Sequence, residues 1–163
     1  MPFSILGKRG TYRGAGILFF IRTPAGISVL LGERRRSGVW SIPGGGSDPT
    51  DADLRATAFR ETTEEFGAIP EAHRHRFTLS YPFGFFGFDW RTVVVELPGR
   101  PDGGEFPDRQ AKDFHEFRDA AWFPLRQLPP RTHWLLCPAL IRLRLGSVGH
   151  PWVLKRQACK MLK

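Results

Sequence analysis

A chain of 163 residues with 41% hydrophobic and 25% charged content is long enough to bury one core, and it reads as a single domain over 1–163. Its 24 basic and 16 acidic residues leave a net charge of +8, which suits polyanions such as nucleotides or RNA. Cys137 and Cys159 stand at no metal spacing, no apolar run reaches the ~20 residues of a membrane span, and the first ten residues carry no signal-peptide core. A cytoplasmic chain with reduced thiols and no membrane partner is expected.

Residues 12–22 read as a strand with an apolar centre at Ile17–Ile21, and Ile27–Gly32 as a second strand joined to it by the turn Thr23–Gly26. The run Arg34, Arg35, Arg36 is either a solvated face or the source of one guanidinium for a substrate phosphate. Gly44–Gly46 then leads into a helical segment, with Asp48 or Thr50 as candidate N-cap and Gly67 at its end. Leu54, Ala58 and Thr62, at i, i+4 and i+8, form its buried stripe. Glu61, Glu64 and Glu65 crowd one face, and like charges at that spacing destabilise an isolated helix. A solvated acidic face is the plain reading. The alternative is a hard cation, Mg²⁺ or Mn²⁺, which prefers carboxylate and carbonyl oxygens and works with phosphates. Arg60 can pair with Glu64 at i+4 and orient it.

Arg74–Tyr81 and Arg91–Leu97 are the next expected strands. The aromatics between them, Phe83 and Phe85 included, serve core packing, an interface in a homodimer if the chain is not a monomer, or stacking on a nucleobase. Pro98–Asp113 reads as a polar loop, and Leu125–Leu128 as the start of a short helix. Thr132 is placed as the cap of a last helix over 133–145, which either kinks at Pro138 or starts later. A basic tail covers about 150–163.

The stretch Trp40–Gly67 resembles the Nudix (MutT-like) hydrolases. Trp40-Ser-Ile-Pro43-Gly44-Gly45 is similar to their W-x-x-P-G-G lead-in, and Gly46, Arg60-Glu61, Glu64-Glu65 and Gly67 fall on the signature G-x5-E-x7-R-E-U-x-E-E-x-G-U, where U is a bulky apolar residue. Ala52 stands where the first glutamate belongs, between Asp51 and Asp53, while Thr62 and Ala68 replace the bulky positions. Phe114–Pro124 resembles an E-x5-W segment that follows the helix in this family, with Glu116 as its acid.

The resemblance implies an α/β fold, a mixed β-sheet sandwiched between helices. It also implies a hydrolase that uses Mg²⁺ or Mn²⁺ to split a nucleoside diphosphate linked to another group. Glu61, Glu64, Glu65 and the Gly45 carbonyl would be the metal ligands, Glu61, Glu65 or Glu116 the general base, and Arg60 the residue orienting them. One of Arg34, Arg35 and Arg36 would hold substrate phosphate. Ala52 is expected to affect auxiliary metal binding or loop order more than chemistry. A nucleoside triphosphate, oxidised forms included, is the first substrate reading. An RNA 5′ end is the second and not favoured, and ADP-ribose (for which Pro82 speaks) or a nucleotide-sugar is the third. A nucleotide-binding module that has lost turnover is the reading of another class.

Overall fold

The structure, a computed structural model, describes residues 12–83, 87–101 and 106–146, except the side chains of Pro82 and Phe83. Phe85, the side chain of Phe83 and the expected basic tail therefore lie outside the described residues.

The central strand is β1 (Tyr12–Thr23), and its sequence explains why. Ile17 to Ile21 are all apolar and 0–1% exposed, so both sides of the strand must be covered. β1 pairs antiparallel with β2 (Gly26–Arg34) and parallel with β6 (Phe88–Leu97), in register from Tyr12↔Phe88 to Ile21↔Leu97. β3 (Trp40–Ser41) and β7 (Phe117–Pro124) pair with β2, β4 (Gly44–Gly46) pairs with β1, and β5 (Arg74–Phe83) pairs with β6. The result is a mixed sheet with the core path β3-β2-β1-β6-β5.

Because side chains alternate along a strand, β1 feeds two cores. Ile17, Phe19 and Ile21 pack with Leu54, Ala58 and Phe66 of α1 (Leu54–Phe66). Leu18 and Phe20 pack with Leu136, Ala139, Leu140 and Leu143, the last three from α2 (Cys137–Gly146). Each of the larger side chains contributes about 1.5–3 kcal/mol by leaving water. The sheet thus lies between two helices, as the resemblance implied, and the stripe Leu54, Ala58, Thr62 is the buried face of α1.

Several local expectations change. The N-cap of α1 is Asp53, whose Oδ1 accepts from the N–H groups of Arg55 and Ala56 at 2.8 Å each. Asp48 does not cap the helix because it closes its own turn, accepting from Thr50 N and Thr50 Oγ1. Gly67 ends α1 at φ +84, and its N–H donates to Thr63 O. Leu125–Leu128 is a turn, not a helix; Pro129 and Pro130 follow and bar continuation. The last helix starts later than residue 133. A 3-10 turn over Trp134–Leu136, capped by His133, precedes it, and Pro138 sits harmlessly in the first turn of α2. Thr132 instead donates to Pro129 O. β7 lies where no strand was expected.

Replacing Asp53 by alanine should cost about 1 kcal/mol. That is a fall in Tm of a few degrees, readable by thermal denaturation, while Thr50→Ala should cost less.

Candidate active site

The acidic face of α1 looks onto the glycine strand β4, and the two are in tight contact. A methyl group added at Gly45 would lie 2.4 Å from Glu61 Oε2, so only glycine allows this approach. Glu65 reaches further in, with only 4% of its side chain exposed. Its Oε2 accepts from Gly44 N at 2.7 Å, and its Oε1 from Arg34 Nη1 at 2.6 Å. Burial pushes the Glu65 carboxyl up to about 7, against the pull of Arg34 and the Gly44 N–H.

Arg34 is the first of two arginines that gather carboxylates. The same Nη1 donates to Glu116 Oε2 at 2.9 Å, Nη2 to Gly44 O at 3.0 Å and Nε to Ser41 Oγ at 3.2 Å. Its guanidinium lies over the Phe117 ring, 4.2 Å from the centroid. Arg35 has a different task. It donates to His115 O and Phe117 O, fixing the short 3-10 turn Phe114–Glu116 that carries Glu116. Arg36 is exposed.

Arg60 is the second gatherer. Its Nη1 donates to Glu61 Oε1 at 2.8 Å and to Glu64 Oε2 at 3.1 Å, and its Nη2 to Gly46 O at 3.0 Å. Lys112 Nζ meets the other Glu64 oxygen at 3.3 Å. Burial lifts the Glu61 carboxyl above its ordinary range, with Glu64 and Glu116 adding to the lift and Arg60 opposing it.

The partner that orients Arg60 escaped the sequence reading. Asp51 accepts from Arg60 Nε and Nη2, both at 3.0 Å, a bidentate pair. It also accepts from Asp48 N and Thr57 Oγ1. These donors, Arg60 foremost, hold the Asp51 carboxyl well below the usual carboxylate range. Asp51, the neighbour of Ala52, thus supplies the carboxylate that meets Arg60. Counting back from Arg60 by the usual spacing lands one residue late. The signal was present in the sequence as Asp51 itself.

Glu61, Glu64, Glu65, Glu116, Arg60 and Arg34 thus converge, while Arg35 holds the backbone on either side of Glu116. Among the described residues no three acidic, imidazole or thiol groups stand together as a ready ligand set, and the glutamates are paired with Arg34 and Arg60. The donor chemistry nevertheless fits a hard divalent cation. Asp51, Glu61, Glu64, Glu65 and Glu116 outnumber Arg34, Arg60 and Lys112, and all the acceptors are oxygens. The carbonyls of Gly44 and Gly46 point at the two arginines, whereas the Gly45 oxygen lies 2.6 Å from where a methyl on Gly14 would be.

The NUDIX domain profile matches residues 11–139. The chain belongs to the Nudix family. Members of this hydrolase family act on pyrophosphate bonds of phosphorus-containing substrates. The human mitochondrial coenzyme A diphosphatase NUDT8 is 55% identical over 54 residues, a segment covering 31% of this chain and 23% of that protein. The Nudix chain therefore matches less than a quarter of that relative's length. Among solved structures, a C. elegans Ap4A hydrolase binary complex aligns with a TM-score of 0.62 at 22% identity, covering 84% of this chain and 97% of that one. RenU, a Nudix hydrolase from M. smegmatis, aligns with a TM-score of 0.61 at 22% identity, covering 87% and 89%. At such identities these structures speak for the Nudix fold. No helix among the described residues is long and apolar enough to cross a membrane.

Asp51→Asn should cost about 1–3 kcal/mol, because a charge-assisted pair and its supporting bonds are weakened. Its pH dependence carries the sign of a depressed acid. The stabilisation is present above the unfolded value near 3.9 and is lost as pH falls through the lower folded one. Between pH 6 and pH 2 the gap between the melting temperatures of wild type and Asp51→Asn should narrow without closing, because the folded Asp51 carboxyl stays largely ionised there, and Ala52→Asn should show no such narrowing.

Proposed function

We propose that this chain is a hydrolase that depends on a divalent cation, Mg²⁺ or Mn²⁺, and cleaves the diphosphate of a nucleoside diphosphate linked to another group. The observation that carries this is the gathering of Glu61, Glu64, Glu65 and Glu116 around two arginines at the glycine strand, with more carboxylate than cationic charge. Glu61, Glu64 and Glu65 are our metal ligands. For the backbone ligand, Gly45 follows from the resemblance, but the direction of the Gly44 carbonyl, beside Glu65, supports Gly44. When bound, the cation would neutralise diphosphate charge and make a water easier to deprotonate.

The chain's own groups do the rest. Arg60, oriented by Asp51, positions Glu61 and Glu64, and Arg34 positions Glu65 and Glu116. Glu61, Glu65 or Glu116 accepts the proton of the attacking water. Arg34 and Arg35 are engaged within the protein, so phosphate contact falls most simply to the exposed Arg36. The match to a coenzyme A diphosphatase supports a coenzyme A-type substrate ahead of the nucleoside triphosphate read from the sequence. Coenzyme A is itself a nucleoside diphosphate joined to a second group.

The test is hydrolysis of coenzyme A, ADP-ribose, nucleoside triphosphates and 5′-triphosphorylated RNA with Mg²⁺ or Mn²⁺. Coenzyme A should be cleaved best, and Glu64→Gln should lose at least about 100-fold in turnover, equivalent to ~2.7 kcal/mol. Undiminished turnover in excess chelator would sink the metal-hydrolase reading. Cation affinity should also rise as pH climbs through about 7, since the Glu65 proton must leave before the carboxylate can bind metal. Calorimetric titration of Mn²⁺ at pH 6 and pH 8 reads this directly.

A further inference from the structure

Beside the glycine strand, on the face of the sheet that carries α2, stands a row of aromatic rings that the carboxylate chemistry leaves without a task. The two-residue alternation of β1 and β6 puts Tyr12 and Gly14 on the same side as Leu18 and Phe20, and Phe88 and Trp90 on the same side as Val94. Tyr12 is stacked with Phe88, centroids 5.7 Å apart and planes 11° apart, and with Trp90 at 6.5 Å and 5°. Three rings therefore share nearly one orientation. The indole is fixed in place: its Nε1 donates to Thr92 Oγ1 at 3.2 Å, and a methyl on Gly14 would lie 2.8 Å from its Cζ3. Tyr12 is 44% exposed, although tyrosine rings in cores are covered.

The position of the row ties it to the site. A methyl on Gly46 would lie 3.9 Å from Tyr12 Cε2, and one on Gly45 would touch Glu61. The Tyr12 hydroxyl is raised above its ordinary range by burial and then by the charge of Glu61, with Glu65 adding to it. The outer ring thus stands next to the glycine strand against which a diphosphate would be held. Flat, rigid and partly open rings at that place match a flat ligand group attached to a phosphate.

We propose that Tyr12, Phe88 and Trp90 form the seat for the nucleobase of the substrate, with Tyr12 as its exposed stacking surface. The inference rests on the nucleotide reading of the site, and it places base recognition on β1 and β6 rather than on Phe83 and Phe85. Stacking accepts any base, so the seat supplies affinity for nucleotides with weak preference among bases.

The test is calorimetric binding of AMP and of ribose 5-phosphate to the full chain with Mg²⁺, for wild type, Tyr12→Phe, Tyr12→Leu and Trp90→Leu. AMP should bind wild type and Tyr12→Phe alike. Tyr12→Leu should weaken AMP by about 5- to 100-fold and leave ribose 5-phosphate unchanged. Tyr12 lies at the exposed end of β1, so Tyr12→Leu carries the test if Trp90→Leu fails to fold. Equal affinity of wild type and Tyr12→Leu for AMP, equal binding of AMP and ribose 5-phosphate, or no binding of AMP would overturn the proposal. Failure of the hydrolase reading looks different: AMP binds with the expected Tyr12 dependence, which supports the seat, yet no diphosphate is turned over.

Discussion

The interaction on which the rest depends is the buried contact of Glu65 with Arg34 and Gly44. Its carboxylate joins α1 to β2 through Arg34 and to β4 through the Gly44 N–H. Arg34 in turn ties in Ser41 of β3, Glu116 ahead of β7 and the ring of Phe117. Four strands and a helix therefore meet at one ion pair. A buried pair of this kind adds little net stability over an apolar replacement, but breaking one partner leaves an uncompensated charge. Its value here is positional. It sets where the end of α1 stands relative to the glycine strand.

Arg60 repeats the arrangement one turn earlier. Each arginine holds two glutamates, so four glutamates stay close without the repulsion that their spacing would otherwise bring. The positive charge is lent by the protein, and the arginines keep the carboxylates directed at one place. Asp51 makes this firm, since its bidentate grip fixes the Arg60 guanidinium plane. The loop from Gly46 to Asp53 is thus tied to the acidic face of α1 through Asp51 and Arg60, and it is closed by its own hydrogen bonds at Asp48 and Thr50.

Much of this was legible in the residues. The apolar run Ile17–Ile21 announced a strand, and the glutamates of α1 announced an acidic face, because both patterns are local. What escaped depended on partners far apart in the chain. Arg34, Arg35 and Arg36 look equivalent in sequence, yet Arg34 meets Glu65 and Glu116 while Arg35 meets His115 O and Phe117 O. The role of Asp51 was hidden because the signature spacing points to its neighbour Ala52, while Asp51 itself meets Arg60. β7 was missed because Phe117–Pro124 has a weak alternation and becomes a strand by pairing with β2. Tyr12 gave no signal at all, since its ring acquires meaning only beside Phe88 and Trp90.

The most direct test of the central claim, that the arginine-held carboxylates form a divalent-cation site, is anomalous diffraction from crystals grown with Mn²⁺. The account predicts an anomalous peak bounded by Glu61, Glu64 and Glu65, with Arg60 withdrawn from Glu61 and Glu64 but still paired with Asp51. Arg60 remaining between those glutamates, with no peak there at saturating Mn²⁺, would contradict it.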